Sequence, residues 1–378
     1  MACCVGAGFL ALVSCGGGSS SSGTPAPLPG SQTGSINYAN TALANCFVSD
    51  TAACSTSPGT NPISSLAAAT INASNYLFWG DGAGNIESTS IPTTTTTLPS
   101  TLNNCFSPSL GTKIRSLTVV STATTGPLFY ATTGGVSYIG LTGSQCDHTK
   151  TATLTTITTS AFLAFNSATS LVIGVTSTGL YYSCTSTATP TCTSQGTLPS
   201  LQDISPRITG IASDPSTSIV YLVSVGNTIN RIYAYLVNST GTLTYLTNYT
   251  GIELNSPAGI TAFQGNTGTQ SYCTTGPCTF LDVTNATNTT ITQYVLNYSF
   301  SGSTPTGVAI NQFNNAYFNC DLIAPTAIAA IPLPGTSGSL NTPNVFVGEA
   351  GTQPGPCLGI TSTGTYGNNV TAYTVEGE

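Results

Sequence analysis

The sequence predicts an all-β protein, specifically a β-propeller of seven four-stranded blades stapled by disulfides. Three observations lead to this prediction. Short strand-like segments recur at a nearly constant interval along the chain. These segments are rich in Thr, Tyr, Val and Ile, whose side chains suit the pleated surface of a sheet. No segment shows the 3.6-residue apolar period of an amphipathic helix, and we therefore expect almost no helix.

The repeat is measured on the apolar residue that begins each unit. These residues are Leu66, Leu117, Leu163, Ile211, Ile260 and Val308. Their spacings are 51, 46, 48, 49 and 48 residues. A period of about 40–50 residues with several short strands per unit is typical of propeller blades. Division of the length that remains after residue 30 by this period gives about seven blades. Six blades, or a pair of β-sandwiches, remain as alternatives.

The last blade is expected to combine strands from both ends of the propeller domain, which we assign to residues 35–378. C-terminal candidates lie at 345–347, 358–360 and 370–375, and either 35–38 or 46–48 is expected to complete the blade. Closure is required because an open ring leaves the hydrogen-bonding groups of its edge strands unpaired.

The first 34 residues indicate export. Residues 2–13 are apolar, which is too short for a membrane span of about 20 residues but suits a signal sequence. Cys15 follows, and residues 16–34 form a Gly/Ser/Pro-rich tether. Residues 1–15 resemble a bacterial lipoprotein signal, which implies cleavage before Cys15, lipid on that residue and, because Gly16 is not Asp, an outer-membrane location. A buried strand followed by a linker is the alternative, because no Lys or Arg precedes the apolar run.

Composition restricts the possible partners. Only 4% of residues are charged, the net charge is −7, and 40% are hydrophobic. The chain is therefore too apolar to be disordered and too poor in Lys and Arg to bind nucleic acid. We expect contact with a membrane through the N-terminal lipid, and an unidentified protein or small molecule as the ligand. His148 is the sole histidine, and we expect no metal site and no cofactor.

Ten cysteines follow Cys15, and an even number in an exported chain indicates disulfides. Sequence alone does not fix their connectivity. The simplest arrangement pairs them in order: Cys46–Cys54, Cys105–Cys146, Cys184–Cys192, Cys273–Cys278 and Cys320–Cys357.

The fourth unit carries a family resemblance. It runs from Gly210-Ile211-Ala212 through Asp214-Pro215 to a Tyr-bearing strand at 220–223 and an Asn-rich turn into a third strand. This order is similar to the repeat of lactonase-like, YVTN-type β-propellers. The resemblance implies a propeller fold and, through the lactonases, hydrolysis of sugar lactones. Asp214 and Pro215 themselves suit a turn.

A polar patch is the candidate ligand site. In a propeller, the loops that lead into the innermost strands gather around the central channel, and several of the few charged residues fall in such loops. The patch comprises Lys113, Arg115, Asp203, Arg207, Glu253 and Asn255.

We assign no catalytic residue. The function predicted from the sequence is a lipid-anchored, non-enzymatic binding or scaffold module of the cell envelope. The alternatives are a lactonase-like hydrolase, which rests on the repeat resemblance alone, and a subunit of a surface assembly.

Overall fold

The computed structural model describes residues 60–91, 103–106, 109–121, 126–143, 145–202, 207–264, 279–287, 290–317, 324–331 and 345–350, together with the strand segments 35–38, 48–49, 352–354, 365–367 and 369–376. Every regular element in this part of the chain is a β-strand, which confirms the all-β prediction. No helix among these residues is long and apolar enough to cross a membrane.

The strands are named in chain order. The first ten are β1 (Ser35–Tyr38), β2 (Val48–Ser49), β3 (Ile63–Ile71), β4 (Ser74–Asp81), β5 (Ile86–Ser90), β6 (Asn103–Asn104), β7 (Ser116–Val119), β8 (Pro127–Thr132), β9 (Gly135–Thr142) and β10 (Gln145–Leu154). The next eight are β11 (Ala161–Asn166), β12 (Leu171–Thr176), β13 (Leu180–Thr185), β14 (Cys192–Thr197), β15 (Arg207–Ser213), β16 (Ile219–Val225), β17 (Arg231–Val237) and β18 (Leu243–Tyr249). The last nine are β19 (Pro257–Gln264), β20 (Thr279–Asn285), β21 (Thr290–Ser301), β22 (Thr304–Tyr317), β23 (Pro325–Ala330), β24 (Val345–Glu349), β25 (Thr352–Pro354), β26 (Thr365–Gly367) and β27 (Asn369–Glu376).

These strands form blades of antiparallel sheet. Blades 1 to 5 each contain four consecutive strands, starting at β3, β7, β11, β15 and β19. Blade 6 has the order β23, β24, β27, β1, with β2 also paired to β27, and β25 and β26 form a separate two-stranded ribbon. The first strand of each blade lies innermost, and neighbouring inner strands contact one another in a closed ring in which β23 touches both β19 and β3.

The prediction of seven blades is wrong. The described strands build five four-stranded blades and the sixth sheet that closes the ring, which agrees with the six-blade alternative. The predicted unit at Val308 belongs to β22, the outer strand of blade 5. The inner strand of blade 6 instead carries Ile328, which is 68 residues after Ile260. Division by a uniform period failed because blade 5 and its connections are longer than the other blades.

The ring is closed as expected, by strands from both ends of the domain. β1 pairs with β27 from Ser35 opposite Glu376 to Tyr38 opposite Tyr373. β2 pairs with the same strand, with Val48 opposite Val370. The predicted signal and tether, residues 1–34, lie outside the described residues.

Blades pack face to face, and this packing explains the long apolar runs in their middle strands. In β16, Ile219, Tyr221 and Val223 belong to the apolar cluster shared with blade 5. Val220 and Leu222 alternate with them and belong to the cluster shared with blade 3. A strand that is buried on both faces carries apolar residues at successive positions, instead of alternating apolar and polar residues.

Two of the five expected disulfides lie within the described residues. Cys105, after β6, bonds to Cys146 in β10 and so joins the outer edges of blades 1 and 2, with a Cα–Cα distance of 5.2 Å. Cys184 bonds to Cys192 across the β13–β14 hairpin. The pairs Cys46–Cys54, Cys273–Cys278 and Cys320–Cys357 fall outside the described residues. The disulfides indicate a protein that works outside the reducing cytoplasm.

Removal of the Cys105–Cys146 disulfide should cost more stability than removal of Cys184–Cys192. The bridges span sequence separations of 41 and 8 residues, and the entropy that a cross-link removes from the unfolded chain grows with loop length. We expect the double Cys→Ala variants to lose about 4 and about 2.5 kcal/mol of unfolding free energy, respectively. Urea unfolding measures both losses, and a larger loss for the short loop would contradict this ranking.

Candidate functional site

The central channel is constricted at its middle by a ring of six aliphatic side chains, one from each inner strand. This ring, which we call the waist, consists of Leu66, Leu117, Leu163, Ile211, Ile260 and Ile328. All six side chains are at least nine-tenths buried. The waist separates a wide vestibule of about 330 Å³ from a narrow vestibule of about 80 Å³.

The wide vestibule is lined beyond the waist by small, hydroxyl-bearing and apolar side chains. Thr70, Ser121, Ser167 and Ser213 supply hydroxyl groups, and Ala68, Val119, Phe165, Phe263 and Ile331 supply apolar surface. Asp214 reaches the rim, but both of its carboxylate oxygens accept hydrogen bonds from neighbouring groups of the protein. The vestibule therefore presents a largely neutral surface.

Side chains of the inner strands connect neighbouring blades by hydrogen bonds, which we call seam bonds. Ser64 Oγ of blade 1 donates to the carbonyl of Ile114, immediately before blade 2. Ser116 Oγ of blade 2 accepts from the Leu163 amide of blade 3 at 2.9 Å. No backbone hydrogen-bond ladder runs between the separate sheets of the described residues, so these side-chain bonds connect neighbouring blades instead.

Further seam bonds continue around the ring. Thr209 Oγ1 of blade 4 donates to the Pro257 carbonyl of blade 5 at 2.7 Å. Thr326 Oγ1 of blade 6 donates to the Ile63 carbonyl of blade 1 at 2.5 Å. The hydroxyl-rich composition thus has a structural role at the seams between blades.

Asn166 makes the seam between blades 3 and 4, and sequence analysis missed it. Its Nδ2 donates to Ser213 Oγ at 2.8 Å and to the Thr217 carbonyl at 3.0 Å, and its Oδ1 accepts from the Thr169 amide and hydroxyl. Asn166 is wholly buried. An Asn at the end of a strand is common in turns, so the sequence alone gave no reason to single it out.

The structure brings Arg115 of the predicted patch to the channel, at the narrow vestibule. Partial burial and the neighbouring Arg115 charge lower the pKa of Lys113. Arg207 and Asn255 are exposed, and the Asn255 amide donates to Asn285 Oδ1 at 2.9 Å. Asp203 lies outside the described residues.

Glu253 is buried between blades 4 and 5. Its Oε1 accepts hydrogen bonds from the Tyr249 hydroxyl at 2.7 Å and the Tyr294 hydroxyl at 3.1 Å. Burial raises the pKa of both tyrosines, and the Glu253 carboxylate raises it further, so both phenols remain donors. Glu253 therefore holds two blades together, a role that its position in a surface-like loop did not reveal.

Asp81 and Trp79 have structural roles. Asp81 closes the β4–β5 turn by accepting from the Ala83 and Asn85 amides, each at 2.9 Å. Trp79 is buried in an apolar cluster between blades. His148, the sole histidine, is exposed in β10, within a bulge between Asp147 and Thr151. Within the described ranges, no group of three or more His, Cys, Asp or Glu side chains is placed to hold a metal ion.

No protein-family model matches the chain, and no curated protein matches it. Among solved structures, the chain is similar to a triple arginine-to-alanine mutant of AofleA from Arthrobotrys oligospora, with 12% sequence identity and a TM-score of 0.48. The match covers 89% of this chain and 95% of that chain. The strand pairing described above is the basis of the propeller assignment.

Asp282 is a buried acid in the middle of β20. Its side chain is wholly buried on the face opposite Leu281 and Val283, and Gln293 Nε2 donates to its Oδ1 at 2.9 Å. Oδ2 has no hydrogen-bond partner among the described residues. Burial raises the pKa of Asp282 to about 7, although the Gln293 hydrogen bond acts in the opposite direction.

We expect Glu253→Ala to lower the free energy of unfolding by about 3 kcal/mol, because it leaves the buried Tyr294 hydroxyl and the half-buried Tyr249 hydroxyl without their acceptor. Arg115→Ala, at the channel mouth, should change it by less than about 0.5 kcal/mol. Thermal and urea unfolding of the two variants test this contrast. Comparable losses in both would show that Glu253 is not the structural residue described.

Asp282 should make stability depend on pH. Folding raises its pKa above the unfolded value of about 3.9, so the native state retains a proton between about pH 4 and pH 7 and stability falls as the pH rises through that window. Asp282→Asn keeps the acceptor for Gln293. The stability of the variant relative to the wild type should rise by up to about 4 kcal/mol from pH 4 to pH 8. A difference that is constant with pH would contradict the assignment.

Proposed function

We propose that this chain is a non-enzymatic binding and scaffold module that works at the cell envelope, held there by lipid on Cys15. The observation that supports this best is the construction of the channel. Its waist is aliphatic, and its described polar side chains largely serve the seams between blades. Such a wall gives a rigid platform, whereas a catalytic centre requires reactive groups that converge on a substrate.

The proposed anchorage rests on the order of features along the chain. An apolar run, a cysteine and a Gly/Ser/Pro-rich tether precede the propeller, and the disulfides indicate an oxidising compartment. A tether of this composition behaves as a flexible chain, and it would let the propeller reach ligands beyond the membrane surface.

A lactonase-like activity is the second candidate, and Arg115 is the residue that favours it, because a cation at the channel mouth suits a developing negative charge. The size of the narrow vestibule argues against it. About 80 Å³ is well below the ~300–1,000 Å³ of pockets that enclose small-molecule ligands. A surface-assembly subunit is the third candidate, and sedimentation of the purified chain tests it.

Cys15→Ser should release the protein from membranes. Without the thiol there is no site for the lipid, so the variant should move from the membrane fraction to the soluble fraction and lose metabolic labelling by a radioactive fatty acid. Cys3→Ser and Cys4→Ser are matched controls, because they remove a thiol from the same apolar run and should leave both readouts unchanged. Labelling that persists in Cys15→Ser would refute the anchor.

The enzymatic alternative is tested on the same purified Cys15→Ser chain. We expect no hydrolysis of gluconolactone above the spontaneous rate. Turnover that disappears in Arg115→Ala would replace the binding proposal with the lactonase.

A further inference from the structure

A second cavity lies away from the central channel, where blades 3, 4 and 5 meet. Its volume is about 470 Å³, within the ~300–1,000 Å³ of small-molecule pockets. Three sides come from residues 168–169 of the β11–β12 turn, 216–218 of the β15–β16 turn, and Val237 and Ser239 beside the β17–β18 turn. The fourth side is the tip of the β21–β22 hairpin, residues 298–305. We call this cavity the hairpin cleft.

The hairpin that forms one wall is unusually long. β21 and β22 contain 12 and 14 residues, whereas the strands of blades 3 and 4 contain 6 or 7. The extra length carries residues 298–305 to the turns of blade 4. Phe300, near the tip, remains 45% exposed although it is a large apolar side chain.

The walls of the hairpin cleft are fixed to one another. The Tyr298 hydroxyl of the hairpin donates to Asp214 Oδ2 of the blade 4 turn. Asp214 Oδ1 accepts from the Ser216 amide and hydroxyl, at 2.8 and 2.9 Å. Burial, and then the Asp214 charge, raise the pKa of Tyr298, so its hydroxyl remains a donor. The Asn166 seam bonds hold the blade 3 turn against the same blade 4 turn.

The lining combines an aromatic surface with neutral hydroxyl groups. The Tyr298 and Phe300 rings lie 5.9 Å apart between centroids and form the apolar side. Six lining residues carry aliphatic hydroxyls: Thr169, Ser216, Thr217, Ser218, Ser239 and Ser303. None of the lining residues is Asp, Glu, Lys, Arg or His.

Thr217 supplies an independent indication of a ligand. The residue is 8% exposed, and its Oγ1 has no hydrogen-bond partner among the described residues. Buried hydroxyls are nearly always satisfied, because an unmade hydrogen bond costs the group its hydration without compensation. Thr217 lines the cleft, but its Oγ1 is shielded from solvent in this structure. A rotation of the side chain about χ1 would bring the hydroxyl to a ligand hydroxyl in the cleft, which would provide the missing partner.

We propose that the hairpin cleft binds a neutral saccharide, with a C–H face of one sugar ring against Phe300 and ring hydroxyls on Thr217 and the neighbouring serines. This inference deepens the proposed binding function and rests on it. A purely apolar ligand would remove water from the hydroxyls of the lining without offering them a new hydrogen-bond partner. An anionic ligand would find no cation in the lining and would meet a chain of net charge −7. A neutral saccharide satisfies both surfaces of the cleft.

The test is calorimetric titration of the full-length chain with cellotriose, maltotriose and chitotriose, and with trigalacturonate as the anionic comparison. We expect at least one neutral trisaccharide to bind and trigalacturonate not to bind. Phe300→Ala should weaken the binding about tenfold or more. Ile229→Ala is the matched control, because Ile229 is also 45% exposed but lies outside the lining of the cleft. The Ile229→Ala variant should bind the saccharide with the same affinity as the wild type.

Thr217→Val separates a ligand contact from a structural role. Valine has nearly the same shape and removes an unpaired hydroxyl, so the melting temperature should stay constant or rise while the saccharide affinity falls about threefold or more. A lower melting temperature with unchanged affinity would overturn the role of Thr217 and with it the proposal.

Two further results would overturn the proposal. Absence of binding to all three neutral trisaccharides is one. Binding that Phe300→Ala leaves unchanged is the other, and it would leave the proposed binding function standing while removing the hairpin cleft as its site. Failure of the anchoring experiment on Cys15, by contrast, bears only on the proposed envelope function.

Discussion

Hydrogen bonds from inner-strand side chains to the next blade are the interaction on which this ring depends. Apolar packing between blades favours contact but is indifferent to small sliding movements, since it has no direction. A hydroxyl of blade 2 that accepts from the Leu163 amide fixes one inner strand against the next. Where Thr326 reaches the Ile63 carbonyl, the same device joins the last blade to the first.

This dependence explains the composition. A Ser, Thr or Asn side chain that is buried between blades needs only a neutral hydrogen bond to replace its contact with water. A buried ionised group loses far more hydration free energy and must also be paired with an opposite charge or held by several hydrogen bonds. A ring built on seam bonds therefore has little use for Lys, Arg, Asp or Glu. Two of the buried acids have neutral donors as partners. Glu253 accepts hydrogen bonds from two tyrosine hydroxyls, and Asp214 accepts from two tyrosine hydroxyls and from groups of its own turn.

The sequence predicted those parts of the fold that depend on local pattern. The strands of the fourth unit, the staple at Cys184 and the closing strand at 35–38 follow from alternation, turn residues and cysteine spacing. The blade number did not, because the long β21–β22 hairpin made Val308 resemble the start of a unit. Periodicity counts residues and cannot distinguish a new inner strand from the extended outer strand of the preceding blade.

The candidate site was less predictable, because its residues meet only through the ring. Tyr298 and Asp214 are 84 positions apart, and nothing local marks them as partners. Glu253 has the local context of a surface loop, yet Tyr294, 41 positions later, makes it part of the interior. Charge in a loop indicates exposure only when no later strand returns to cover it.

The pairing of β1 with β27 also sets the order of events in folding. Ser35 and Glu376 are neighbours in space but lie near opposite ends of the propeller domain, so the last sheet cannot form until nearly the whole domain is available. Blades 1 to 5 need only their own consecutive strands. Contacts of such long sequence separation form slowly, since the chain must close a very large loop to make them. Until the C-terminal strand β27 is available, blades 1 to 5 therefore form an open arc without the sheet that closes the ring.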